Sequence, residues 1–267
     1  MVGPVSSNSK RLMLDSSVRE MRAVLFDLDG VLTPTATVHM SAWSRLFTPY
    51  FRARGVEPYT TADYFAWLDG RPRYDGVRVL LQSRGIHIPE GSPSDSPDAD
   101  TVCGLGNRKN AAFSAALEED GVEPYPGSVL FLNAVQWNGK AVAVVSSSKN
   151  AEAVLAAARI RNRFAVVVDG IVAAEHGLAG KPDPATFEYA AERLGLEAAS
   201  CAVVEDAVSG VAAARAGRFG SVIGVDRGVG TQALLDNGAD VVVADLAELV
   251  ETDANDNGAN DYEDARS

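Results

Sequence analysis

The chain has 267 residues, a formal net charge of −12, 46% apolar residues and 22% charged residues. The length exceeds one typical domain and the apolar share supports a sizeable core, while the acidic balance argues against a nucleic-acid partner, which needs a basic surface. No apolar run approaches the roughly 20 residues that cross a bilayer. Cys103 and Cys201 stand far apart without metal-ligand spacing. Neither a membrane nor a disulfide framework is therefore expected, and a reducing cytoplasm is the default location.

Residues 1–18 are Ser-rich and lack the apolar stretch of a signal peptide, so they read as a flexible arm. The run Ala23-Val24-Leu25-Phe26 fits a strand buried on both faces, and it breaks off into Asp27-Leu28-Asp29-Gly30. Side chains two apart in an extended segment point the same way, so both carboxylates can face one ligand. Like charges that close call for a divalent cation, a raised pKa, or both. The plainer reading of so short a motif is an acidic turn capping the next element. A calcium loop fits less well, because Val31 occupies the place of its third ligand.

From 36 to 54 the apolar residues Met40, Trp43, Phe47, Tyr50 and Phe51 recur at helical spacing, with Gly55 as the stop and Pro49 as a bend or an earlier end. Further helices are expected over 62–67, 74–84 and 107–119, with a polar loop over 90–100 and no strand-like run from 35 to 120. Beyond Pro124 the pattern alternates. Helices are expected over 128–137, 150–161, 184–194 and 208–216, and strands over 141–145, 164–168, 202–204, 221–225 and 241–243. This order implies an α/β fold, a doubly wound, Rossmann-like parallel sheet. The core would comprise 19–34 and 124–250, with 35–123 inserted as a helical cap. Residues 251–267, with six acidic residues and one arginine, read as a disordered acidic tail.

Three strand-like runs end in polar groups: Asp27 and Asp29 in the first, Ser146-Ser147-Ser148-Lys149-Asn150 after 141–145, and Glu205-Asp206 after 202–204. In a parallel sheet these ends share one edge. A serine run suits an anionic oxygen, although alone it is more often a helix cap, and an acidic pair alone usually complements a helix dipole. Lys181, flanked by Gly180 and Pro182 with Pro184 beyond, would be held on a stiff loop, or would be an ordinary solvated lysine. Their convergence carries more weight than any one of them.

The ordered set Asp27-Leu28-Asp29-Gly30, Ser146, Lys181-Pro182 and Glu205-Asp206 resembles the haloacid dehalogenase superfamily of phosphoryl-transfer enzymes. Thr33, Thr35, His39, Trp43, Arg108-Lys109-Asn110 and Ser148-Lys149-Asn150 extend the resemblance to its β-phosphoglucomutase-like subfamily. The resemblance implies Asp27 as nucleophile and Asp29 as general acid and base, with the pKa of Asp29 above that of Asp27. It implies one Mg²⁺ held by Asp27, the Asp29 carbonyl and Asp206, with Glu205 helping through water. Ser146, Ser147 and Lys181 would hold the transferring phosphoryl group. Arg73 and Lys109 from the cap, with Ser148 and Asn150 from the core, would grip a second phosphate, and His39 would orient Asp29 and the hinge.

The expected activity is conversion of β-glucose 1-phosphate to glucose 6-phosphate, primed by glucose 1,6-bisphosphate, and the alternative is a sugar-phosphate phosphatase. A non-catalytic binding protein on the same fold would be expected to lose the nucleophile or the metal carboxylates, and all are present. The partner expected is a small phosphorylated sugar, and the expected state is a monomer. Pro34 stands where relatives often carry an acidic residue, so the hinge is expected to behave differently.

Overall fold

In the computed structural model, which describes residues 12–252, strand β1 (Leu12–Leu14) and a short helix α1 (Ser16–Arg19) precede β2 (Ala23–Phe26). Four helices follow directly: α2 (Thr35–Arg54), α3 (Thr61–Asp63) running into a π-helical turn at Tyr64–Leu68, α4 (Arg73–Gln82) and α5 (Val102–Asp120). Next come α6 (Pro126–Trp137), β3 (Ala141–Val145), α7 (Ala151–Ala157), β4 (Val166–Val168), α8 (Gly170–Glu175) and α9 (Ala185–Arg193). The last elements are β5 (Cys201–Glu205), α10 (Val208–Ala216), β6 (Ser221–Val225), α11 (Thr231–Asp236), β7 (Val241–Val243) and β8 (Val250–Thr252).

Six strands form one parallel sheet in the order β4-β3-β2-β5-β6-β7, with Phe26 level with Val144 on one side and Val204 on the other. All four residues of β2 are fully buried, which explains its unbroken apolar run. Val24 and Phe26 face Phe131, Leu132 and Val135 of α6, while Leu25 faces Phe187 of α9 and Val211 of α10. Helices therefore cover both faces, as a doubly wound sheet requires. Each large apolar side chain sealed in this way contributes about 1.5–3 kcal/mol. Because β2 is central and its neighbours run parallel to it, Asp27, Ser146 and Asp206 leave the sheet along one edge.

The inserted helices have their own core of Trp43, Phe47, Tyr50, Phe51, Val77, Leu80 and Leu105. Stacking of Phe47 on Trp43 and on Phe51, at 5.6 and 5.1 Å between ring centroids, runs straight past Pro49. The proline therefore does not end α2, which continues to the left-handed cap Gly55 at φ +63°.

Several boundaries differ from the sequence expectation for local reasons. Helix α5 starts at Val102, five residues early, because the Thr101 hydroxyl accepts the Gly104 N–H at 2.9 Å. Helix α7 ends at Ala157 rather than 161, where Arg159 turns left-handed at φ +59°. Strand β4 is confined to Val166–Val168, and α8 was not expected; its N-cap Asp169 accepts from Ile171 and Val172, each at 2.9 Å. The expected turn of helix over 62–67 is split between α3 and the π turn.

The reading of 1–18 as a loose arm needs correction for its last part. Leu12–Leu14 pairs antiparallel with Val250–Thr252, and Leu14 and Val18 are buried. Their apolar side chains cover the α6 side of the core, a role too short in sequence to show periodicity. The expected disordered tail, 251–267, likewise begins two residues too early, because Glu251 and Thr252 belong to β8 and pair with Met13 and Leu12; residues 1–11 and 253–267 lie outside the described residues. No described helix is long and apolar enough to cross a membrane.

Candidate active site

The loop after β2 turns back on itself within seven residues. Asp27 N–H continues the ladder by donating to Val204 O at 2.9 Å, and Gly30 N–H donates to Thr33 O at 2.7 Å. Leu32 and Thr33 both donate to Leu28 O at 3.0 Å. Gly30 sits at φ +91°, and a Cβ there would lie 1.8 Å from Asp206 Oδ2. Only glycine lets the turn pass this close to the Asp206 carboxylate.

Lys181 is the hub. Its Nζ donates to Asp27 Oδ1 at 2.6 Å, to Glu205 Oε1 at 2.5 Å and to Val145 O at 3.1 Å, which uses all three ammonium protons. Burial alone would lower its pKa, but Asp27 and Glu205 outweigh that and raise it. The other Glu205 oxygen accepts from the backbone of Asp206 and Ala207, each at 3.0 Å. Glu205 is thus fully committed to orienting its neighbours.

Asp29 lies at the other end of a short polar chain. It accepts a hydrogen bond from Thr35 Oγ1, Ser146 Oγ lies 3.4 Å from its second oxygen, and His39 Nε2 stands 3.3 Å away. His39 Nδ1 in turn meets Lys109 Nζ, and the imidazole stacks on Phe113 with 4.1 Å between ring centroids. Lys109 is buried against Trp43 and Phe113, and desolvation pushes its pKa down to about 7.

That depression gives a stability signature. Between about 7 and the ordinary 10.5, the unfolded chain binds the Lys109 proton and the folded one does not, so folding stability rises with pH through this window. The slope approaches 1.4 kcal/mol per pH unit for one proton. Urea unfolding at two pH values inside that window should show a larger alkaline gain for the wild type than for Lys109→Met, by about 2 kcal/mol. Equal gains would mean that Lys109 is not a desolvated amine.

The remaining lining comes from the cap, which is closed onto the core. Ser147 Oγ donates to Gly70 O at 2.8 Å, Ser209 Oγ to Asp69 O at 3.2 Å, and Asn150 Nδ2 to Asn110 Oδ1 at 2.7 Å. Arg73, Lys109, His39, Ser148 and Asn150 line the same pocket as Asp27, Asp29, Ser146, Ser147, Glu205 and Asp206. All the sequence-nominated side chains except Lys181, which lies behind Asp27, therefore face one space. That space measures about 70 Å³. Small-molecule pockets start at roughly 300 Å³, so a sugar phosphate enters with the cap swung away. Tyr64, Asp69 and Arg71 also line it and were not nominated. Asp69 and Arg71 flank the Gly70 turn beside Arg73, and a charged turn within the cap was the only signal for them.

With the protein's own charges alone, the order of the two aspartates is the reverse of the expectation. Asp27 is raised well above the usual carboxylate range, chiefly by burial and further by Glu205 and Asp29, with Lys181 opposing. For Asp29, burial also raises, but His39, the Thr35 hydroxyl and Lys109 outweigh it and leave the pKa lowered. His39 is itself lowered by burial and by Lys109. Asp206 is raised by burial and by Asp69, Glu205 and Asp27 around it. The carboxylates crowd at the sheet edge, while the cations of the cap gather at Asp29.

This crowding suits a hard divalent cation. Oxygens of Asp27, Glu205 and Asp206 lie within 4.8 Å of one another, and among the described residues no hydrogen bond reaches either Asp206 oxygen. Carboxylate oxygens without nitrogen or sulfur donors favour Mg²⁺ or Ca²⁺, and Asp27 and Asp206 are the ones free to bind.

Residues 21–218 match the haloacid dehalogenase-like hydrolase family. A β-phosphoglucomutase of Mycobacterium tuberculosis is 48% identical over 241 residues, covering 86% of this chain and 92% of that protein. The fructose-1-phosphate phosphatase YqaB of Escherichia coli is 30% identical over 74% of this chain and 94% of its own length. Among solved structures, a β-phosphoglucomutase from Clostridium difficile superposes with a TM-score of 0.68 at 27% identity, over 86% of this chain and 93% of that one.

Proposed function

The chain belongs to the haloacid dehalogenase-like hydrolase family, in its β-phosphoglucomutase-like branch, and on that footing we propose that it interconverts β-glucose 1-phosphate and glucose 6-phosphate. The observation that carries this is the pair of unlike ends in one closed pocket. One end offers a carboxylate nucleophile beside Ser146 and Lys181; the other offers Arg73, Lys109, Ser148 and Asn150 from both sides of the cap boundary. A mutase must hold two phosphates at once, whereas a phosphatase needs only the first grip.

Phosphate esters resist attack because their anionic oxygens repel the nucleophile. In the proposed sequence an Asp27 oxygen forms a bond to phosphorus while the phosphorus–sugar oxygen bond breaks, giving an aspartyl phosphate. Ser146 and the Ser147 N–H hold the phosphoryl oxygens, and the Lys181 ammonium beside Asp27 Oδ1 offsets their charge. Asp29 gives its proton to the departing sugar oxygen and later takes one from the attacking hydroxyl. The arriving phosphate dianion raises the pKa of Asp29, which the site's own cations hold low. His39 and Thr35 fix the direction in which Asp29 points. Asp27, Asp206 and the Asp29 carbonyl would hold Mg²⁺, with Glu205 behind them; when bound, Mg²⁺ neutralises phosphoryl charge and keeps Asp27 ionised. Glucose 1,6-bisphosphate would load the first phosphoryl group, and the enzyme would work in the cytoplasm as a monomer.

The E. coli relative keeps a phosphatase reading in play. Purified protein with Mg²⁺ and a trace of glucose 1,6-bisphosphate should make glucose 6-phosphate from the β-anomer faster than it releases inorganic phosphate. Phosphate release in excess of glucose 6-phosphate would make it a sugar-phosphate phosphatase.

A further inference from the structure

One oxygen behind the pocket lining serves two domains. Asn110 Oδ1, on cap helix α5, accepts from Arg73 Nη2 on cap helix α4 at 2.7 Å and from Asn150 Nδ2 on the core at 2.7 Å. A carbonyl oxygen has two lone pairs, and both are taken. A phosphate at neutral pH has acceptors to offer and almost no protons, so this oxygen is not a phosphate ligand. It organises the donors that are. Arg73 keeps its other N–H groups, is half-buried, and has no carboxylate partner among the described residues. A half-buried guanidinium in the pocket lining with no carboxylate partner suits an anion.

We propose that Asn110 is a positioning residue that joins the cap and core halves of the distal phosphate grip into a single fork, formed only when the cap is shut. Recognition of the second phosphate and closure of the lid then become one event. A phosphorylated sugar that occupies the fork holds the lid down during transfer; water brings no phosphate and cannot. Asn110 thereby favours a sugar hydroxyl over water as acceptor. The choice of acceptor rests on the mutase reading above, whereas the coupling of the fork to closure does not.

Two variants and two kinds of readout test this. A dye pair on exposed Ser92 of the cap and Glu192 of the core reports closure without any substrate. Asn110→Ala removes both bonds and should shift the free protein toward the open distance. It should also raise the KM for β-glucose 1-phosphate and the share of phosphoenzyme lost to water, each about tenfold, with a smaller change in kcat. Asn110→Asp still accepts from both donors, so it should keep the closed distance while raising KM through repulsion of the phosphate. A merely structural asparagine would lower thermal stability in both variants and leave KM and the water share untouched. Wild-type closure and wild-type partition in Asn110→Ala would overturn the proposal. Failure of the wild type to make glucose 6-phosphate would sink the mutase reading instead, and the dye distance in Asn110→Ala would still decide the fork.

Discussion

Replacing Asp27 by Asn should abolish turnover, by a factor on the order of 10⁴ or more, without unfolding the protein. The amide has the shape of the carboxylate and can still accept from Lys181, but it cannot form the acyl phosphate on which both half-reactions depend. The folded protein should not suffer. Asp27 is buried among Glu205, Asp29 and Asp206, and the neutral amide removes one of those like charges. Thermal melting in metal-free buffer should therefore give a midpoint equal to or above that of the wild type. Retained activity in Asp27→Asn would contradict the assignment of the nucleophile, and a large loss of stability would contradict the account of charge crowding.

The second large effect is expected at Lys181. Its ammonium is sealed from solvent and is the one cation bonded to both Asp27 and Glu205 among the described residues. Lys181→Ala leaves two buried carboxylates uncompensated, a change that typically costs about 3–5 kcal/mol. For a core of this size that corresponds to a midpoint lower by about 10 °C. Activity should fall by at least 10²-fold, because the phosphoryl oxygens lose a fixed positive partner. Added Mg²⁺ should recover part of the stability and little of the activity, since a cation among the carboxylates relieves their repulsion from a different position. An unchanged midpoint in metal-free buffer would show that the Lys181 pairs contribute nothing net.

Much of this was legible before any coordinates. A parallel sheet buried on both faces needs continuous apolar strands, and Ala23–Phe26, Ala141–Val145 and Cys201–Glu205 stand out for that reason. Their polar ends gave the site, because strand ends in such a sheet are forced onto one edge. Other features were hidden for physical reasons. Leu12–Leu14 is three residues long and gains its meaning from Val250–Thr252 at the far end of the chain. Helices α5 and α8 start at hydroxyl and carboxylate caps whose role depends on local dihedral angles. The order of the aspartate pKa values could not be read from spacing, because it depends on how Lys181 and the His39–Lys109 pair divide between Asp27 and Asp29. Asp69 and Arg71 join the pocket only through closure of the cap on Ser147 and Ser209.

The central claim, that the phosphoryl group passes through Asp27, is tested most directly by trapping it there. Protein loaded with glucose 1,6-bisphosphate and Mg²⁺, quenched in acid and treated with borohydride, should yield homoserine in place of aspartate at position 27, as seen in the peptide mass spectrum. Homoserine at position 29, or intact aspartate at both positions during active turnover, would contradict it.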